Sequence, residues 1–509
     1  MKIRMGWRWI GVGFALLCLT VKAEGPDYFE ANRLMIRNGV QAVLTCNGLF
    51  TSHRTLAQVF EQELAYLGDR VLGTAEGGPF QVDKELRSVR VGGGSYGAAI
   101  GAVFREGIGC VVMPPGMSFE VAESFPKLLT TPPAVDPATL PWPMGDVLTE
   151  FELAPGVSAL GLQAASDWAF DRPTKEQVTI SLIILHRGKI VHERYAPGFD
   201  WRTRTRTWST AKSIAATLIG MQVDAGALEL DAPLAIDWLP SIEDRASDPR
   251  ASITLRHVLN MSSGLYPVDS FNMEHATGSG LAYWAGASSV DGARNRGLIR
   301  EPGQHWDYEN YDTLLAVLAL KQSFDDPSAY LAFPSEALFE PLGMHHTLAS
   351  TDRFGDFIFS SQVYTNARDL ARFGLLYLQN GRWQGQQLIS KQWIDFVRTP
   401  APASAVRGHD YGGQWWLVPD DRKSEVPSDA YSTAGNRGQY VIVAPSHDLV
   451  IVRRGLDFGK QGFDRWALLR EVVKAVPQRV QGRPTAASEL NVRSMDDRSA
   501  SRLSQESRR

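Results

Sequence analysis

Ser209-Thr210-Ala211-Lys212 opens the apolar run Ser213 to Gly220 and sets a serine hydroxyl one helical turn before a lysine amine. Residues three apart share a helix face, with about 5 to 6 Å between Cβ atoms, so Lys212 can reach the Ser209 oxygen. That pairing suits a nucleophile with an adjacent base, as acyl transfer requires. Gly226, after Asp224-Ala225, supplies a helix stop. The tetrad alone does not decide the matter. A serine at a helix start is also an ordinary capping residue, with a solvated lysine beside it. The same pattern recurs at Ser124-Phe125-Pro126-Lys127, where Pro126 and the following Leu-Leu-Thr-Thr-Pro-Pro predict irregular chain.

A third serine lies in Gly93-Gly94-Ser95-Tyr96-Gly97, which satisfies Gly-x-Ser-x-Gly, the strand-to-helix elbow of α/β-hydrolases. The stretch before it, Glu85 to Val91, alternates charge, whereas an elbow strand is buried and apolar, and too little chain precedes it to build a parallel sheet. Ser95 to Phe104 and Cys110 to Met113 read instead as a hairpin turning at Arg105-Glu106-Gly107.

Context for Ser209 comes from two further segments. In Trp306-Asp307-Tyr308-Glu309-Asn310-Tyr311, between the turn Glu301-Pro302-Gly303 and the helical run Thr313 to Leu320, Tyr308 and Asn310 can aim a phenol and an amide at one point. A decoy, Tyr364-Thr365-Asn366, runs into Ala367 to Gly374, where Thr365 or Asn366 has the character of a helix cap. The other segment is Ser432 to Val443, followed by Pro445-Ser446-His447-Asp448 and Leu449 to Val452, which reads as a hairpin whose first strand carries glycines open to close approach by a substrate.

Taken together, Ser-x-x-Lys, Tyr-x-Asn and a glycine-containing edge strand resemble the serine β-lactamase and penicillin-binding protein superfamily. The likeness is to its class C-like branch of β-lactamases, D,D-carboxypeptidases, esterases and 6-aminohexanoate-dimer hydrolases. Gly188 to Val191 with Glu193 and Tyr195, Leu259 to Leu265, Glu340 to Met344 and Ala367 to Gly374 add to the resemblance, which covers roughly residues 155 to 475. It implies an α+β fold: an antiparallel sheet with its terminal helices, a mostly helical insertion, and the nucleophile helix between them. It implies Ser209 as nucleophile, Lys212 and Tyr308 as the proton-transfer pair and Asn310 as a substrate-orienting amide. An oxyanion hole would come from the backbone N–H groups of Ser209 and Asn436.

The resemblance fails at one position. Where the penicillin-recognising members carry Lys-Thr-Gly, this chain has Thr433-Ala434-Gly435, so the cation that engages a β-lactam carboxylate is missing. Arg437 stands nearby, either as a substitute or as a surface charge. Esters or small linear amides are therefore the expected substrates, with β-lactams or D-Ala-D-Ala peptides as the alternative and an idle binding or sensor protein as the non-enzymatic one. Lysine and tyrosine titrate near ~10.4 and ~10, so a base at neutral pH needs a depression of about three units, roughly 4 kcal/mol. Lys212 and Tyr308 share that task, and the sequence does not divide it between them.

Composition fits this reading. The 509 residues are 44% hydrophobic with a net charge of −4, which gives no bias toward nucleic acid or acidic membranes and points to a small-molecule partner. Residues 1–23 read as a secretory signal, with Lys2, Arg4 and Arg8 before an apolar run from Trp9 to Thr20 that is short for a membrane span. A periplasmic or secreted protein is expected, an uncleaved inner-membrane anchor being the alternative. Cys46 and Cys110 then remain, to pair or to stay as buried thiols. Residues 24–150 form an accessory segment with a helical run from Thr55 to Leu67 and Pro-rich chain from Thr130 to Met144, 151–476 the hydrolase region, and 477–509 a polar tail expected to be disordered. No cofactor or metal is expected, since His345-His346 and His192 lack a ligand-forming pattern. Arg202, Arg204 and Arg206 read as a solvated strand face.

Overall fold

The computed structural model describes residues 29–129, 136–269, 278–408 and 410–478. The expected signal (1–23) and all but the start of the expected tail lie outside these residues. Helix α1 (Glu30–Phe50) lies on an antiparallel sheet of β1 (Phe80–Asp83), β2 (Ser88–Val91), β3 (Ile100–Arg105) and β4 (Gly109–Met113), in sequential order. Every residue of α1 from Asn38 to Gly48 is buried, the mark of a helix enclosed on all sides rather than of an amphipathic surface helix. Its polar members are mostly satisfied: Asn38 Nδ2 donates to the carbonyls of Tyr96 and Ala98 at 2.9 and 2.8 Å. On the side away from the sheet, α1 meets the short helix Ser279–Ala285, and Gly39 permits it. A Cβ there would stand 1.7 Å from the Trp284 carbonyl oxygen. A disulfide joins Cys46 of α1 to Cys110 of β4.

The hydrolase region begins with α2 (Ala159–Phe170) and the hairpin β5 (Thr179–His186) and β6 (Lys189–Tyr195). After β7 (Thr205–Arg206) come α3 (Thr210–Asp224) and α4 (Asn310–Gln322), which pack on each other. Then follow β8 (Leu348–Ala349), β9 (Val363–Thr365), α5 (Ala367–Leu378), the small hairpin β10 (Arg382–Trp383) and β11 (Gln386–Gln387), β12 (Trp416–Leu417), β13 (Tyr431–Ser432), β14 (Tyr440–Ala444), β15 (Leu449–Gly455) and α6 (Arg465–Val473). Strands β12-β13-β14-β15-β5-β6, in that order, form one antiparallel sheet, so the two ends of the region close on each other. Side chains alternate across it, as a strand requires. Leu182, Ile184, Ile442 and Ile451 pack under α2 and α6, while Ile183, Leu185, Val441 and Val452 face the other way, toward α5 and its Phe373. This is the α+β arrangement the resemblance implies.

Two features place the nucleophile helix. Strands β7, β9 and β8 make a small sheet just before α3, and Arg454 of β15 fastens it by donating to the carbonyls of Thr205 and Thr365 at 2.8 and 2.7 Å. Arg372 of α5 holds the chain ahead of α2 through the carbonyls of Pro143 and Gly145 (2.7 and 2.6 Å) and the Asp146 carboxylate (2.8 Å). Ile36, Val40 and Val43 of α1 share one core with Ile214 of α3 and Leu314 of α4.

Several expectations are corrected. Arg206 is buried and donates to the Ser361 carbonyl at 3.1 Å, and Arg204 is half-buried, so of that alternation only Arg202 is fully exposed. Gly435 and Gly438 lie in the reversal between β13 and β14, not on the first strand of the β14–β15 hairpin, and β12 covers the outer side of β13. The run from Thr55 begins with a capping box between Thr55 and Gln58 but continues as π and 3₁₀ turns rather than as one α-helix. No described helix is long and apolar enough to cross a membrane.

Candidate active site

Ser209 occupies the N-cap position of α3, yet its side chain makes no capping bond. The residue before it, Trp208, has φ +51°, a region that bulky side chains rarely enter and that recurs at functional sites. Its neighbours hold it there. The Trp208 ring meets Trp284 and Tyr66 at 6.2 and 6.5 Å between centroids, and the Arg206 guanidinium lies 4.1 Å from the ring centre. The kink turns the Ser209 hydroxyl, partly exposed, toward Lys212.

Lys212 is buried, and the partners of its ammonium nitrogen include Ser209 Oγ at 3.2 Å, Asn310 Oδ1 at 2.5 Å and the Ser360 carbonyl at 2.8 Å. An ammonium, with three N–H bonds, can donate to each of these three. A neutral amine would keep two of them and turn its lone pair to the third. Of the three, only Ser209 can donate a proton back, because an amide oxygen and a carbonyl have none to give. The Tyr308 ring centre lies 5.0 Å from Lys212 Nζ, against a wall formed by Trp306, Tyr411 and Trp416 at 5.6 to 6.2 Å.

Asn310 is the first residue of α4. As an ammonium Lys212 only donates, so the Asn310 amide faces it with its oxygen, which leaves Nδ2 to donate to Ser279 Oγ at 3.1 Å. Ser279 is held in turn by Asp269, through Oγ at 2.9 Å and its backbone N–H at 3.0 Å, and Asp269 also accepts the Asn310 N–H at 3.3 Å. The amide expected to orient substrate is thus engaged on both sides, and one of its partners is the lysine. Behind it Glu309 is buried, accepting from the backbone N–H of Val268 and Tyr311 at 2.9 and 3.3 Å. Burial and the Asp269 charge push Glu309 well above the usual carboxylate range, against the pull of Arg296.

Thr433 is fully buried. Its hydroxyl lies 3.0 Å from that of Thr210 and accepts the Val441 N–H at 3.0 Å, which joins the β13–β14 reversal to the start of α3. At Gly435 a Cβ would stand 2.2 Å from the Thr207 carbonyl oxygen, so only a glycine lets the two loops carrying Ser209 and Asn436 touch. The Asn436 side chain is exposed and folds back on the Arg437 N–H at 2.8 Å. Arg437 does not replace the missing cation. With φ +59° it turns into the protein, donates to the carbonyls of Glu63 and Gln62 at 3.0 and 3.1 Å, and lies on the Tyr66 ring. A cation missed in the sequence stands elsewhere: Arg465, at the start of α6, lies 5.5 Å from the Trp416 ring centre and 5.7 Å from that of Tyr440. Burial lowers its pKa, while Tyr440, Asp464 and Tyr308 act the other way, so it stands within electrostatic reach of Tyr308.

The other serines are not assembled in this way. Ser124 is exposed, ends a 3₁₀ turn and donates to the Val121 carbonyl at 2.7 Å; Ser95 is exposed on a 3₁₀ turn between β2 and β3. Tyr364 is buried in β9, and Asn366 caps α5 by accepting the Asp369 N–H at 2.7 Å. Sequence reading also missed Ser360, Ser279 and Asp269. Ser360 contributes a backbone carbonyl, which any residue could supply, and the other two carry no motif.

A family model described as Beta-lactamase matches residues 169–471, more than half of the chain. The chain belongs to the beta-lactamase family and is a serine hydrolase. Among curated relatives it is similar to the 6-aminohexanoate-dimer hydrolase of Paenarthrobacter ureafaciens, with 24% identity over 55% of this chain and 73% of that protein. It is also similar to an uncharacterised protein of Alkalihalophilus pseudofirmus, with 26% identity over 57% of this chain and 88% of the relative. Solved structures that resemble it include a family VIII carboxylesterase (14% identity, TM-score 0.48, 64% of this chain and 99% of that one). Another is EstCE1, a hydrolase with promiscuous acyltransferase activity (15% identity, TM-score 0.48, 62% and 97%).

Proposed function

We propose that this protein is a periplasmic or secreted hydrolase that forms an acyl-enzyme on Ser209, with carboxylic esters or small linear amides as substrates. The observation that carries the chemistry is the position of Lys212, buried with its amine 3.2 Å from the Ser209 hydroxyl, a group able to give it a proton. As Ser209 attacks, its proton passes to the Lys212–Tyr308 pair, and the same pair returns a proton to the leaving group. The backbone N–H groups of Ser209 and Asn436 stabilise the oxyanion. Water then releases the acyl group. Secretion is supported by the N-terminal sequence and accords with the Cys46–Cys110 disulfide, and a mature N-terminus near Glu24 would be found by mass spectrometry.

The preference against β-lactams follows from Thr433 and Arg437. Neither offers a cation to a ligand carboxylate, and the lost charge-assisted bond corresponds to roughly 1.5 to 3 kcal/mol, about a ten- to hundredfold deficit in kcat/KM. A panel of p-nitrophenyl esters, linear amide dimers, D-Ala-D-Ala peptides and a chromogenic cephalosporin tests the reading. Cephalosporin turnover above the best ester or amide rate would overturn it.

A further inference from the structure

A cavity of about 630 Å³ lies at the seam between the N-terminal segment and the hydrolase region, and none of the site residues from Ser209 to Asn436 lines it. Phe50, Phe104 and Leu128 form one wall; Leu331, Phe339 and Phe357 form the other. The lining is mixed, with His53, Arg87, Glu106, Arg204, Glu340 and His345 beside these apolar side chains; concave sites of ~300 to 1,000 Å³ at boundaries between chain segments are where small molecules collect.

Arg204 gives this chamber its chemical preference. It lines the cavity just before β7 and makes no hydrogen bond or ion pair among the described residues. The carboxylate that acts on it, Asp369, is already engaged by Arg372 at 2.9 Å, the His346 N–H at 2.8 Å and the Thr347 hydroxyl at 2.8 Å. Of the other charged groups on the lining, Arg87 pairs with Glu106 at 3.3 Å and Glu340 accepts from Ser335 at 3.1 Å. A guanidinium stays charged, and one partly withdrawn from water with no direct hydrogen-bond partner, Asp369 acting on it only at a distance, carries a desolvation cost. Burial holds Arg204 below its usual range, consistent with that debt.

We propose that this cavity binds an apolar monocarboxylate, its carboxylate paired with Arg204 and its hydrocarbon chain held between the Phe50–Phe104 and Phe339–Phe357 walls. A single guanidinium matches one carboxylate in a two-bond fork. Glu106 and Glu340 on the lining oppose an anion of higher charge.

Calorimetric titration of the full chain with laurate, dodecanol and dodecyltrimethylammonium tests the site. The expected result is saturable laurate binding, dodecanol about tenfold weaker or more, and no binding of the cation at this site. Arg204→Gln should reduce one laurate site per chain to the affinity of dodecanol. Leu331→Trp, which fills the cavity from the opposite wall, should remove that site for both ligands, and thermal melts establish that each variant is folded. Should Arg204→Gln fail to fold, Leu331→Trp and the three-ligand comparison still decide. Laurate stoichiometry and affinity unchanged in the folded variants, absence of saturable binding, or equal binding of the cation would overturn the proposal.

Discussion

The chain carries the same tetrad twice, and the two copies have different fates. At Ser124 the helical turn is 3₁₀ and stops: Phe125 is extended (φ −73°, ψ 153°), so Lys127 never comes round to the serine, and both side chains stand in solvent. At Ser209 a strained Trp208 feeds a full α-helix, Lys212 is buried, and its other acceptors come from Asn310 and Ser360, 98 and 148 residues away. The spacing offers a hydroxyl near an amine. Removing the amine from water and surrounding it with acceptors from distant segments gives the pair a direction for proton transfer.

The widest gap between the copies should appear in covalent labelling. Ser209→Ala is expected to abolish modification by a serine-reactive phosphonate and to cut turnover by at least about 10³-fold, whereas Ser124→Ala and Ser95→Ala leave both intact. Labelling retained in Ser209→Ala, seen by mass spectrometry of the intact chain, would equate the copies. The lysines should differ next: Lys212→Ala, like Tyr308→Phe, is expected to lower kcat by about 10²-fold or more, and Lys127→Ala to change nothing measurable. Because Lys212 and Tyr308 act as a unit, the double variant should fall far short of the product of the two losses.

A smaller effect should come from the residues behind Asn310. Ser279→Ala removes the hydroxyl that holds the Asn310 amide and is expected to cost about tenfold in kcat with KM little changed, the scale of one hydrogen bond. Steady-state kinetics that show a change in KM alone would mean that Asn310 serves substrate binding rather than the lysine.

What the sequence disclosed was local or rested on resemblance. Helical spacing gave Ser209 and Lys212, β-rich runs around a polar turn gave β14 and β15, and the resemblance assigned Tyr308 and Asn310 to the same site. Helix α1 was not legible because it is enclosed on all sides and its buried Asn38, Gln41 and Asn47 interrupt any apolar period. The Ser360 contribution is a backbone atom without a sequence signature. Arg437 reads from its position in the chain either as a substitute cation or as a surface charge, and only the left-handed turn at its own backbone sends it into the protein toward Glu63 instead. Arg204 and Arg206 illustrate the same limit, since an alternation of charges looks like a solvated face until another part of the chain is folded over it.

The last difference between the copies is a buried acid with no counterpart at Ser124, and it makes a pH prediction. Glu309 is raised above its ordinary value by burial and by Asp269, so the folded chain holds a proton there that the unfolded chain releases near pH ~4.3. Between the unfolded and the folded value the native state therefore binds more protons, and stability falls as pH rises, by up to about 1.4 kcal/mol per pH unit for one proton. The contribution is fully present below the unfolded value and is lost as pH climbs through the folded one. Glu309→Gln keeps an oxygen for the N–H groups of Val268 and Tyr311 and presents a neutral amide to Asp269. The variant should match wild type near pH 4, lack the downward slope above it, and so be the more stable protein at neutral pH, as urea titrations from pH 4 to 8 would show. Parallel stability curves for the two proteins would mean that Glu309 is ionised in the fold, with Arg296 outweighing Asp269.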